Sequence, residues 1–434
     1  MTAPQDIAFI NARLVDPASG MDAPGALLVR GGRIADIGPR LFNDGKPRDA
    51  SVIDCKGHVL APGLIDMRVF VGEPGAEHRE TIESAGEAAA AGGVTTMVLM
   101  PSTDPVIDDA ALVAFMRNQP CRVNVRPMAA LTKGRKGEVM SEMVLLSEAG
   151  AVGFTDADRT LADARVMRRA LSYAATFDLL VVGHCEEPSL SQGAAATEGE
   201  IATRLGLAGV PAIAETIIVE RDLRLVELTG ARYHFGQVTT QSALEAIAKA
   251  KARGLPVTCA VPATHLALNE LDIAGYLTFR KFSPPLRSED DRRACVEGLA
   301  AGIIDVIVSS HDPQAPDTKR LPFAQAAAGG VGLETLLPIT LEMVHAKHLT
   351  LLEAMRRLTS APAETLRLPD GVGTLSPGAV ADLVCLDPDL AIVVDGDKLR
   401  SRAKNTPFDG RRTQGRVMQT WVKGVCVYDA TTKV

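Results

Sequence analysis

Short apolar runs rich in valine and isoleucine open the chain at Ile7–Val15, Gly25–Ile37 and Ser51–Val59. Asp-Pro, Gly-Gly and Lys-Gly dipeptides punctuate them, which predicts strands joined by tight turns. The carboxyl-terminal stretch has the same texture, with Ala381–Leu386, Ala391–Val394 and Arg416–Tyr428 broken by Ser-Pro-Gly, Asp-Pro-Asp and Val-Lys-Gly. Between the two, apolar strands alternate with alanine-rich helical stretches. The expected strands are Gly63–Val71, Thr95–Met100, Val123–Ala129, Ala151–Phe154, Leu179–Val182, Arg232–Val238, Pro256–Ala260 and Asp305–Ser309. Helical patterns cover Glu80–Ala91, Asp163–Thr176, Pro211–Leu228, Ser242–Arg253 and Glu289–Ala301.

Eight strands separated by helices predict an α/β fold, a (β/α)8 TIM-type barrel over residues 61–369, with chemistry at the carboxyl ends of the strands. An open doubly wound sheet competes with it, but no glycine-rich dinucleotide or phosphate loop follows the early strands. Neither terminal segment has enough strands to be stable alone. Residues 1–60 and 370–434 are therefore expected to combine into one small β domain.

Composition narrows the function classes. Of 434 residues, 46% are hydrophobic and 23% charged, which suits a large packed core and excludes a disordered or collagen-like chain. Aromatics are only 4% and the net charge is −7. Without a basic stripe or a base-stacking surface, nucleic-acid binding is not expected. No apolar stretch reaches the roughly 18 residues of a membrane span. Met1-Thr2-Ala3-Pro4-Gln5-Asp6 has neither the basic segment nor the apolar run of a secretory signal. The seven cysteines, Cys55, Cys121, Cys185, Cys259, Cys295, Cys385 and Cys426, are scattered and never form a Cys-x-x-Cys pair. That pattern predicts reduced thiols in core positions and a soluble, cytoplasmic protein.

A series of short motifs then runs the length of the chain. In order they are Ala61-Pro62-Gly63-Leu64-Ile65-Asp66, Glu73-Pro74-Gly75, Ala91-Gly92-Gly93-Val94-Thr95-Thr96, Met100-Pro101-Ser102-Thr103 and His184-Cys185-Glu186-Glu187. Pro284-Pro285-Leu286-Arg287, Gly332-Leu333-Glu334-Thr335 and Asn405-Thr406-Pro407-Phe408 follow. Each is weak alone; together the chain resembles the dihydroorotases of the amidohydrolase superfamily. More narrowly it resembles the form that associates with aspartate carbamoyltransferase. The resemblance implies a barrel with a composite β domain, the cytoplasm and de novo pyrimidine synthesis.

Active dihydroorotases reversibly close carbamoyl-aspartate into dihydroorotate, which calls for a metal-bound hydroxide and a Lewis acid on the carbonyl. Zinc takes at least three protein ligands and keeps one position open. The resemblance lets each ligand position be checked. The His-x-His expected after Asp66 reads Arg68 and Phe70, and a permanently protonated arginine repels a cation. Asp156-Ala157-Asp158 puts Ala157 on the next ligand position, with Asp156 and Asp158 as neighbouring substitutes. His184 is present. Gln237 replaces the histidine that normally closes the following motif, and Ser310 stands where the catalytic, proton-shuttling aspartate belongs. Substrate contacts change too: the expected arginine is Gly72, and the asparagine before Pro-Pro-Leu-Arg is Ser283.

Of six ligand positions, only His184 could ligate in the family manner. The expectation is therefore no metal, no other cofactor and no catalytic or substrate-binding residue. By resemblance the chain would be a non-catalytic homologue, a structural partner of aspartate carbamoyltransferase in a homo- or hetero-oligomer. The alternative is an active dihydroorotase or related cyclic-amide hydrolase with a zinc site rebuilt around His184. A third reading, a binding module that still holds a small acidic metabolite in the old pocket, is disfavoured by Gly72 and Ser283.

Other residues bear on that choice. Asp66, Asp156, Asp158, Glu186, His234 and His311 could form a relocated metal or acid–base site; the expectation is instead a polar pocket whose charges pair with each other. Two readings of Arg68 stand open: it replaces the metal's charge by pairing with a carboxylate such as Asp156, so that Arg68→Met would lower the melting temperature markedly, or it points to solvent. Cys185 adjoins His184 but points to the opposite face of a strand, so no Cys-His nucleophile is expected. His345-x-x-His348, beside Lys347, reads as a solvated helix end. Gly329-Gly330-Val331-Gly332 lacks the Lys-Ser/Thr of a phosphate loop and reads as a loop before a helix.

Overall fold

The computed structural model describes residues 6–43, 45 and 49–431. Five strands come first: β1 (Ile7–Asp16), β2 (Met21–Arg30), β3 (Arg33–Gly38), β4 (Ser51–Asp54) and β5 (Val59–Pro62). Next are β6 (Leu64–Val69), β7 (Val94–Leu99), β8 (Asn124–Pro127) and β9 (Val181–Gly183), then a small parallel pair, β10 (Ala196–Thr197) and β11 (Gly209–Val210). The central series ends with β12 (Tyr233–Phe235), β13 (Val257–Pro262) and β14 (Val306–Val308), and the chain with β15 (Leu383–Val393), β16 (Arg412–Val422) and β17 (Val425–Asp429).

Two parallel arcs, β6-β7-β8 and β9-β12-β13-β14, make the barrel. Single bridges join them. Phe154 pairs with Ala129 on one side and Val181 on the other, and Val69 pairs with His311 to close the ring. The fourth barrel strand is thus shorter than the run 151–154 predicts. Glycines at 150 and 153 weaken extended pairing there, and Ala157, at φ 61, turns the chain away. The helices cover the outside. In Ile82–Ala91, whose start is closed by a reciprocal Thr81–Ser84 cap, Ala85, Ala88 and Ala89 are fully buried. Small side chains on that face let the helix lie close to the barrel strands.

The terminal strands share one sheet in the order β17-β16-β15-β5-β1-β2-β3, with β4 beside β1. β5 lies between the first strand and the carboxyl-terminal hairpin, parallel to β1 and antiparallel to β15. A ring contact between Phe9 and Trp421, centroids 5.2 Å apart, locks the two segments together. β5 passes through Gly63 straight into β6. A Cβ there would lie 2.2 Å from the Thr95 side chain, so only glycine allows the sheet and barrel to approach so closely. The runs Gly25–Ile37 and Arg416–Tyr428 each prove to be two strands, turning at Gly31-Gly32 and Lys423-Gly424, all at positive φ. Ala381–Leu386 and Ala391–Val394 merge into the single bulged strand β15.

All seven cysteines are free thiols; Cys426 is exposed and Cys121 half-buried. Among the described residues, no helix is long and apolar enough to cross a membrane.

Candidate functional site

The carboxyl ends of the barrel strands surround a cavity of about 370 Å³. Its wall includes Arg68 and Phe70 from the end of β6, Gln237 from the turn after β12, Ser310 from the turn after β14, and Phe282 and Arg135 from loops. Arg68 is 4% exposed. One Nη donates to the Ala157 carbonyl at 3.3 Å and the other reaches Met100 Sδ at 4.0 Å. Its guanidinium carbon lies 5.2 Å from the centroid of the Phe70 ring, within range of a cation–π attraction. Nε has no partner. Burial lowers Arg68 to about 10, so it remains charged at neutral pH.

This corrects one expectation. Asp156 does not pair with Arg68; its carboxylate accepts from the Thr132 backbone N–H at 3.0 Å and hydroxyl at 2.6 Å. Asp158 is bonded to Arg135 and Asp312 to Arg79, the latter at 2.9 Å. These three carboxylates bond elsewhere, which leaves Arg68 a buried cation without a directly bonded counter-ion, attracted by Asp158 and Asp312 only across the pocket.

The other ligand positions form no cation cage. Ala157 has no donor beyond its carbonyl, which Arg68 occupies. Gln237 Nε2 donates to Ser310 Oγ at 2.7 Å, linking two of the substituted positions across the cavity. Ser310 is held at φ 51, a left-handed backbone conformation unusual for a side-chain-bearing residue. His184 is buried, and burial followed by the Arg68 charge lowers it to about 3. The imidazole is therefore neutral at pH 7, with Nε2 4.0 Å from Glu186 and Nδ1 unpartnered.

The relocated-site residues are dispersed as well. Asp66 is fully buried, accepting from the Arg68 and Ser309 backbone N–H groups at 3.2 Å each and from the Ser309 hydroxyl. It therefore ties β6 to the end of β14, and burial raises it to about 6. His234 shares a 2.8 Å hydrogen bond with Thr258 and is lowered to about 3, chiefly by burial. His311 accepts from the Gly332 N–H at 3.2 Å and sits 3.6 Å from Glu80. Among the described residues, no three histidines, cysteines, aspartates or glutamates are grouped so as to hold a metal ion. The donor set does not fit zinc: an arginine, a phenylalanine, an alanine, an amide and a hydroxyl accompany one histidine. Nor is there an activated nucleophile in the wall. Ser310 Oγ is bonded to an amide rather than a base, and Cys185, which does not line the cavity, has its thiol pushed well above its ordinary value by burial. The arrangement is suited to binding an anion by charge and hydrogen bonds.

Position 72 is closed by backbone. A Cβ on Gly72 would lie 1.9 Å from the Ala76 carbonyl oxygen and 2.9 Å from that of Glu80. The loop after β6 has collapsed onto the space an arginine side chain would need. Ser283 lines the cavity, and the nearby His265 is lowered to about 4 by burial, so it too is neutral. His345 and His348 sit exposed at the end of a helix, with His345 Nε2 3.1 Å from the Pro388 carbonyl. Gly329–Gly332 precedes the helix Leu336–His345.

Several buried carboxylates lie outside the sequence reading, Glu80, Glu215, Asp222 and Asp382 among them. Glu80 bonds to Ser401 and Ser84 and accepts from the Arg402 N–H at 3.1 Å. Glu215 accepts from the Thr239 and Thr240 N–H groups at 2.8 and 2.9 Å and lies 3.5 Å from the buried Arg287. Glu215 lies among apolar positions of the helix Ile213–Thr229, and a charge on that buried face was the available signal.

The barrel, the two-segment sheet and a polar pocket at the strand ends define an amidohydrolase-type architecture. Residues 57–243 match the family described as dihydro-orotase-like, and residues 307–428 the amidohydrolase family. The chain is 43% identical to a dihydroorotase of Anaplasma phagocytophilum (strain HZ), over 98% of this chain and 95% of that relative. Identity to a dihydroorotase of Syntrophus aciditrophicus (strain SB) is 41%, over 97% and 99% respectively. Among solved structures, the L-hydantoinase (dihydropyrimidinase) from Arthrobacter aurescens superposes with a TM-score of 0.88 at 25% identity, covering 99% of this chain and 97% of that one. A D-hydantoinase gives 0.84 at 22%, covering 99% and 96%. The chain belongs to the dihydroorotase family.

Proposed function

We propose that this chain is a dihydroorotase-family protein without the zinc-hydroxide reaction, a non-catalytic partner of aspartate carbamoyltransferase. The observation that carries the first part is Arg68: a permanent cation buried at a metal-ligand position, among neutral histidines, opposes a divalent ion by charge as well as by donor chemistry. The partner role rests on the motif resemblance. In it the barrel would serve as a scaffold holding transferase subunits in a larger assembly.

A second reading is an active dihydroorotase or related cyclic-amide hydrolase. It is favoured by the name dihydroorotase on relatives 40–43% identical over nearly the whole chain. Dihydroorotate hydrolysis by the purified chain, with and without added zinc and beside a metal-replete dihydroorotase, separates the two. No turnover above the blank is expected. Zinc-dependent turnover would overturn the first reading. Transferase of unchanged size and activity in the presence of this chain would overturn the partner role.

A further inference from the structure

We infer that the barrel-mouth cavity is a binding site for a small organic acid, with one carboxylate seated on the guanidinium of Arg68. This rests on the reading that zinc does not occupy the floor, but not on any role with the transferase. Arg68 forms part of the wall of a cavity of about 370 Å³ and is itself only 4% exposed. Its Nε has no partner, one Nη reaches only a thioether, and no carboxylate of the described residues lies within ion-pair distance. A planar guanidinium in a low-dielectric pocket, its Nη groups held only by a thioether and a carbonyl, matches a planar carboxylate.

The surroundings complete the fit. Ser310 Oγ accepts from Gln237, which leaves its own hydrogen to donate into the cavity. Phe70, Phe282 and Pro262 supply apolar wall for a short carbon skeleton. The exposed Arg159 at the cavity rim donates only to the Arg135 carbonyl, so its charge faces approaching anions. The carboxylates in the wall, Asp158 and Asp312, are bonded to Arg135 and Arg79; they attract Arg68 across the pocket without bonding to it. Arg68 stands at a metal-ligand position, not at position 72, where the family resemblance places the substrate-binding arginine and where backbone now fills the space.

The test titrates sodium acetate into the full-length protein with EDTA present, holding ionic strength constant with sodium chloride. Thermal unfolding and the Nε–H signals of 15N-arginine-labelled protein are followed. Acetate should raise the melting temperature saturably beyond chloride and shift one buried arginine signal. Arg68→Met should abolish both effects. Arg68→Lys, which keeps the charge but loses the planar fork, should weaken binding at least fivefold and guards against a methionine variant that fails to fold. Acetate acting no differently from chloride, or binding unchanged in either variant, would overturn the inference. Tighter binding of inorganic phosphate than of acetate would overturn the assignment to a carboxylate. Saturation that requires added zinc would overturn both this inference and the zinc-free reading. EDTA-resistant acetate binding by a chain that also hydrolyses dihydroorotate would overturn only the functional reading and support this site.

Discussion

Replacing Arg68 with methionine tests whether the floor of the pocket holds an uncompensated charge. Burial moves this guanidinium from its ordinary range to about 10. At about 1.4 kcal/mol for each tenfold change in proton affinity, this opposes the charged folded form by about 3 kcal/mol at neutral pH. Against that stand one 3.3 Å hydrogen bond to the Ala157 carbonyl and the Phe70 ring contact, each contributing about 1 kcal/mol. Methionine has similar length and would pack against Met100 and Phe70. The expected result is a gain of about 1 kcal/mol in unfolding free energy, the reverse of what an Arg68–Asp156 ion pair would give. The assay is equilibrium urea unfolding in chloride buffer free of carboxylates, since a bound anion would stabilise the wild type selectively. A rise in the urea midpoint at constant slope supports the argument. A loss of more than about 2 kcal/mol would refute it, because only removal of a compensated, well-bonded charge costs that much.

Three further outcomes follow from the geometry. Gly72→Arg should fail to restore a substrate-binding guanidinium and should cost about 3 kcal/mol or more, because its Cβ meets the Ala76 carbonyl oxygen at 1.9 Å; urea unfolding measures the loss, and an undiminished midpoint would show that the loop yields. Glu215→Ala should cost about 3–5 kcal/mol by stranding the buried Arg287, whereas Glu215→Ala with Arg287→Met should recover part of it; no recovery would mean that the hydrogen bonds to Thr239 and Thr240 carry the effect. Glu334 is raised to about 7, mainly by burial, although it accepts from the Arg400 N–H at 2.6 Å. Its folded value lies above its unfolded one, so its contribution is fully present below about pH 4.5 and is lost as pH rises through 7. Glu334→Gln should therefore narrow the stability difference between pH 5 and pH 8, read from urea midpoints; an unchanged difference would refute that assignment.

The order of strands and helices was legible because apolar runs with β-branched residues, bounded by Gly and Pro, report local conformation directly. The fourth barrel strand is shorter than its sequence predicts for the complementary reason: an apolar run shows that residues are buried, but pairing needs partners supplied by strands elsewhere. Only the bridges of Phe154 and the contact of Val69 with His311 decide how the ring closes.

Sequence alone also determined the chemistry available at the ligand positions. At the positions that the family resemblance assigns to ligands, arginine, phenylalanine, alanine, glutamine and serine leave His184 as the one ordinary zinc donor, an expectation that needs residue identities and a register, not coordinates. Where the charges find partners was a different question. Asp66 is satisfied by Ser309, Glu80 by Ser401 and Asp156 by Thr132, residues distant in the chain, and Arg68 is left without a carboxylate. Ion-pair and hydrogen-bond energies depend on separations of a few ångströms and on exclusion of water, both of which arise only when the strand ends converge. The same convergence fills the space beside Gly72 with backbone and places Arg68 in the wall of the cavity. The sequence determined which groups stand at the ligand positions; the tertiary structure decided which groups surround them and that Arg68 has no directly bonded counter-ion.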